Sequence, residues 1–152
     1  MKPRARILGT VVLVATLGAA CSGGGSGNLT KPQLADQADA ICARANRSIS
    51  RMYRPDPLDA AATTAALAKV VTRQRAELRQ LRALEPPTID ASDYGRWLTQ
   101  IDLALARADV SRRAIARGDV QAADEANHRA DQIRTDADRF AKGYGMHDCA
   151  RR

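Results

Sequence analysis

From Thr30 onward the apolar residues recur at steps of three and four, and the pattern breaks at three places, around Pro55 and Pro57, at Pro86-Pro87 and at Gly118. Positions three and four apart are neighbours on one face of an α-helix, so this spacing makes amphipathic helices. Half-buried strands need a period of two instead. No segment keeps that alternation for more than a few residues, and the expected fold class is all-α with four helices.

Thr30 is placed to cap the first helix, with Gln33 as the reciprocal partner of a capping box. Pro32 fits its first turn, where amides have no helical partner. Leu34, Ala38, Ile41, Cys42, Ala45, Ile49 and Met52 then share a sector of about 100°, with Arg44, Arg47, Arg51 and Arg54 on the other side. Asp56 is expected to cap the second helix, with Pro57 at its first position. Leu67, Val70, Val71, Gln74, Leu78 and Leu81 form the inner face of that helix, and Gln74, the polar residue of the stripe, needs a partner if it is buried. Asp90 or Ser92 restarts a third helix that runs to about Arg117. Tyr94, Trp97, Leu98, Ile101, Leu105, Ala108 and Ile115 line one side of it, and Leu103, Ala106, Val110 and Ala114 form a second, thinner stripe. Gly118 and Asp119 make a tight turn into the last helix, lined by Ala123, Ala126, Ala130, Ile133, Ala137, Phe140 and Tyr144 and closed by Gly143 and Gly145. With connections this short, sequential helices pack antiparallel. The architecture expected over 30–152 is an antiparallel four-helix bundle.

A composition of 45% hydrophobic and 27% charged residues is enough for a buried core, which separates the chain from intrinsically disordered sequences. The aromatics are Phe140, Trp97, Tyr53, Tyr94 and Tyr144. So few rings leave the core aliphatic and offer little for stacking bases, and no nucleic-acid partner is expected.

Residues 1–6 carry Lys2, Arg4 and Arg6 without an acid, and 7–20 are free of charge and end in small residues. These are the regions of a secretory signal peptide, with an apolar run shorter than the roughly 20 residues of a spanning helix. Loss of 1–20 lowers the formal charge from +7 to +4. Leu17-Gly18-Ala19-Ala20-Cys21 resembles a bacterial lipobox, in which the cysteine is acylated and becomes the new N-terminus. Gly18 departs from that pattern, which has an aliphatic residue three places before the cysteine. Ordinary signal-peptidase cleavage after Ala20, leaving a free thiol, is the other reading. Residues 22–28 are glycine, serine and asparagine, the composition of a linker, so 21–29 reads as a lipidated Cys21 and its tether.

Cys42 and Cys149 are an even pair bracketing nearly the whole domain. In an oxidising compartment such a pair is read as a disulfide, whereas a metal or catalytic role lacks a CxxC and has only His147 nearby. On loop-closure grounds a bridge of this span removes denatured-state entropy equivalent to about 4–5 kcal/mol.

Other candidate sites are thinner. Asp124, His128 and Asp131 share one face of the last helix at a spacing that metals use, but His128 points away from the apolar stripe, where weak exposed ion pairs are commoner. His147, Asp148 and Cys149 resemble a thiol and its base, yet an oxidised cysteine cannot attack. No GxSxG, HExxH or Walker-type loop occurs. Arg44, Arg47, Arg51 and Arg54 would suit anionic headgroups or an acidic polymer; their plainer role is a solvated polar face.

The lipobox-like Cys21, its tether, the segment Ala38-Asp39-Ala40-Ile41-Cys42-Ala43 and Cys149 near the C-terminus together resemble a group of small lipoproteins of actinobacteria. The resemblance implies an address at the cell membrane and a disulfide-closed helical fold, not a reaction, and carries over only Cys21, Cys42 and Cys149. The function expected is a non-enzymatic interaction or scaffold module without a cofactor. It would be lipid-anchored on the extracytoplasmic side of the membrane, with an envelope protein or an anionic surface as partner. The alternative is a bundle that binds a small or lipophilic molecule near Trp97, Tyr94 and Gln74.

Overall fold

A computed structural model of the chain describes residues 28–52, 55, 56 and 58–151. The expected signal peptide, Cys21 and most of the tether lie outside the described residues, as do Tyr53, Arg54 and Pro57.

Thr30 and Gln33 form the capping box that opens α1 (Lys31–Ser50): the Gln33 amide donates to Thr30 Oγ1, and the Thr30 amide donates to Gln33 Oε1 at 2.9 Å. Residues Leu34, Ala38, Ile41, Cys42 and Ala45 of its stripe are buried, and the helix stops before Met52. Asp59, not Asp56, caps α2 (Ala60–Arg82), accepting the Ala62 amide at 2.8 Å. Asp56 instead accepts the Leu58 amide at 3.0 Å in the preceding turn. A carboxylate two residues back stabilises a turn, and one three residues back satisfies a first-turn helical amide.

A 3-10 turn over Thr88–Asp90 leads into α3 (Ala91–Ala116). Asp90 stands at the cap position without capping, because its carboxylate accepts the Tyr144 hydroxyl at 2.7 Å. Gly118, at φ 73°, makes the left-handed turn after α3, and Asp119 caps α4 (Val120–Tyr144) through the Ala122 amide. Gly145 alone, at φ 96°, ends α4, while Gly143 lies within the helix.

The four helices pack against one another with no strand among the described residues. Their cross-contacts fix an antiparallel path. Leu29 donates its amide to Glu85 O at 2.9 Å while Met52 lies beside Ala62, so α2 runs back along α1. The Tyr94 hydroxyl reaches Leu81 O at 3.0 Å, and Arg75 lies 3.8 Å from Asp109 farther up the pair. Trp97 stacks on Phe140, ring centroids 6.0 Å apart, with Tyr144 against Asp90 below them. α3 with α4 is the most extensive pairing.

The core is aliphatic with an aromatic end. Leu34, Ile41, Leu78, Leu81, Leu98, Ile101 and Leu105 fill its length. Tyr94, Trp97, Phe140 and Tyr144 make a continuous run of rings where α3 begins and α4 ends, with neighbouring centroids 5.4–6.0 Å apart. Offset and tilted pairs at this spacing add to what burial alone contributes. Gln74 is only half-buried, whereas Glu77, one turn on, is 3% exposed and is the polar residue of α2 held in the interior.

Candidate functional site

Cys42 and Cys149 are bonded, with their α-carbons 5.0 Å apart and both side chains fully buried. The bond sits in a clasp that the tail makes with α1. After Gly145 turns the chain, Met146 is buried and residues 147–150 form one helical turn, closed by the Ala150 amide donating to Met146 O at 3.2 Å. The first amides of any such turn lack partners in it. Here all three are taken by a carboxylate from another helix: Asp39 accepts the His147 and Asp148 amides at 2.8 Å and the Cys149 amide at 3.2 Å. One turn farther along α1 than Cys42, Asn46 donates Nδ2 to Asp148 O at 2.8 Å. Asp39, Cys42 and Asn46 follow at steps of three and four, so one face of α1 holds the tail by a carboxylate, a covalent bond and an amide.

The Ala38–Ala43 segment acquires a physical meaning from this geometry. Ala38 is fully buried where the tail approaches α1, Ile41 lies in the core, Cys42 is bonded, and Asp39 caps the tail. Asp39 and Asn46 were missed by the sequence reading. The signal that would have found them is two polar side chains on the same helical face as a cysteine.

The clasp uses the sulfur that a thiol nucleophile would need. Cys149 sulfur is bonded to Cys42. On α4, His128 shares a hydrogen bond with Gln132 and Asp131 pairs with the half-buried Arg134 at 3.0 Å, and His128, Asp131 and Gln132 are exposed. Among the described residues no cluster of three or more His, Cys, Asp or Glu side chains is arranged to hold a metal.

Trp97, Tyr94 and Gln74 do not meet in one cavity. Tyr94 is buried with its hydroxyl on Leu81 O. Trp97, 2% exposed, offers an edge to a surface groove of about 220 Å³ between α3 and α4, rimmed by Asp93, Arg96 and Asp136. Gln74 lines a different void, between α2, α3 and α4, with Arg134 and Asp138; its 20 Å³ holds about one water.

On the outer surfaces, Arg44, Arg47 and Arg51 are exposed along α1. The second stripe of α3 is open at Leu103, which is 51% exposed, at Ala106 and at Val110, while Ala114 is buried. Next to it Asp109 gathers three guanidiniums. It accepts Arg112 Nε at 2.9 Å, pairs with Arg113 in the next turn and faces Arg75 across on α2. The hydrogen bond from Arg112 lowers the Asp109 pKa, partial burial opposes this, and the charges of Arg113, Arg112 and Arg75 lower it further. No helix among the described residues is long and apolar enough to cross a membrane. In comparisons with known proteins, the chain matches no family model, no curated protein and no solved structure.

Proposed function

We propose that the chain is an exported, lipid-anchored helical module that works by contact rather than by catalysis. It would be acylated at Cys21 and held on the extracytoplasmic side of the cell membrane. The observation that carries this reading is the Cys42–Cys149 bond, because protein disulfides persist in oxidising compartments and are rare in the cytosol. A leader-like 1–20 supplies the route to such a compartment, and the lipobox-like Cys21 supplies the attachment. Two or three acyl chains on one cysteine anchor far more firmly than one, at about 0.8 kcal/mol per buried CH₂. The open stripe of Leu103, Ala106 and Val110 favours a protein partner, since an apolar strip on an otherwise polar helix face is most stable when covered.

The test is the intact mass of the protein from native membranes, before and after reduction and alkylation. The expected species begins at Cys21, carries a diacylglycerol and shows two alkylatable thiols only after reduction. A chain recovered unacylated from the medium would remove the anchor from this proposal, and free Cys42 and Cys149 in the untreated sample would remove the compartment.

A further inference from the structure

Acylation of Cys21 would hold one end of the bundle near the membrane. Asn28, the first described residue, is pinned: its Nδ2 donates to Thr88 Oγ1 at 2.8 Å, and the Leu29 amide donates to Glu85 O at 2.9 Å. The chain coming from Cys21 therefore meets the domain at the loop between α2 and α3. Seven residue steps separate Cys21 from Asn28, and even fully extended they span at most about 25 Å. α1 alone is about 30 Å long, so with Cys21 in the membrane the end bearing this loop would be the nearer one.

That end presents an isoleucine to solvent. Ile89 is 88% exposed in the 3-10 turn, directly after Thr88. Lys31, in the first turn of α1, lies 4.6 Å from the centre of the Tyr144 ring, and Tyr144 bonds Asp90, the neighbour of Ile89. Lys142, in the last turn of α4, is exposed at the same end. Glu85, Asp90 and Asp93 carry opposing charge at this end, and Arg82 and Arg96 add to the cations. An exposed aliphatic side chain on an end that also carries cationic groups suits the boundary between acyl chains and headgroups, where the apolar part enters and the cations stay with the phosphates.

We propose that this end, which exposes Ile89 and carries Lys31 and Lys142, is a docking surface for a phospholipid bilayer, so that the bundle stands upright on the membrane. The proposal rests on the acylation of Cys21. Leu58 provides an internal control: it is as exposed, at 92%, but lies in the connection between α1 and α2 at the opposite end.

The acylated protein would be made as Ile89→Cys and as Leu58→Cys, with Cys42 and Cys149 kept bonded. Each new thiol would carry a polarity-sensitive fluorophore, and the protein would be mixed with vesicles containing phosphatidylglycerol and a bilayer-embedded quencher. Both sites are exposed, so neither change disturbs the core, and thermal melting checks this. The expected result is flotation of both proteins with the vesicles, a blue shift at position 89 only, and quenching several-fold stronger at 89 than at 58. Flotation with equal emission and quenching at the two sites overturns the docking surface and leaves the anchor intact. Failure of the purified chain to float overturns the anchor, and this inference with it.

Discussion

Asp39 shows how much one side chain can carry. It serves three amides of a turn more than a hundred residues away in sequence, and its removal leaves partly buried donors without an acceptor. Asp39→Ala is expected to lower stability by about 2 kcal/mol, read by urea unfolding, and to open the amides of 147–149 to hydrogen exchange. Asp39→Asn retains an oxygen where Oδ1 accepts Asp148 and Cys149, and should lose only part of this. Two titrating groups make predictions of opposite sign. Asp109 has a lowered pKa, so its stabilising effect is complete above the unfolded value of about 3.9 and is lost as pH falls through the lower folded value. Wild type should therefore lose stability in acid more steeply than Asp109→Asn. Tyr144 is raised, first by burial and then by its bond to the Asp90 carboxylate. Its contribution holds below about pH 10 and is lost above it, where the unfolded phenol ionises and the folded one does not. The tyrosinate absorbance of the folded protein should contain a late step that Tyr144→Phe removes.

At the scale of helices, the ends are the testable parts. Asp59→Ala should cost about 1 kcal/mol, the usual value of an N-cap, and Asp56→Ala less, since Asp56 supports a turn and not the helix; thermal melts would rank them. Gly145→Ala forces a side chain into φ 96° with the Ala35 methyl 3.9 Å away, at a cost of about 1–2 kcal/mol. Leu103→Asp and Val110→Asp fall on the open stripe of α3, so stability should hold while cross-linking to a protein partner falls; unchanged cross-linking would sink the contact surface. Much of this level was legible in the sequence because it depends on neighbours three or four residues apart: the Thr30–Gln33 box, the inner faces, Gly118 and Asp119 all follow from local rules. The choice between Asp56 and Asp59 was not, because both precede the same Ala-rich run and only the backbone distinguishes a turn acceptor from a cap. Nor was the burial of Glu77 in place of Gln74, which depends on how α2 is rotated against its neighbours. Asp39 and Asn46 were hidden for a different reason: their partner is the tail, and no local pattern encodes a contact across that separation.

For the whole molecule the disulfide matters through what it encloses. Residues 42 and 149 are 107 apart in sequence, and Cys42→Ser with Cys149→Ser should lower stability by about 2–5 kcal/mol, read as a shift of the urea midpoint relative to wild type. Reduction leaves Asp39 and Asn46 in place, so loss should appear as easier global unfolding, with the tail still docked in the folded population. The same closure has a mechanical consequence. If the domain is held from its N-terminal side and pulled at residue 149, tension runs through residues 28–42, crosses the sulfur bridge and leaves by the tail. α2, α3 and α4 lie off that path. Oxidised, the molecule can lengthen only by unravelling the first turns of α1, to a contour of about 50 Å; reduced, the whole interval opens and the contour rises to roughly 400 Å. Single-molecule extension in the two redox states would measure that difference directly, and the bridge would act as a strain limiter whenever the domain is held from its N-terminal side.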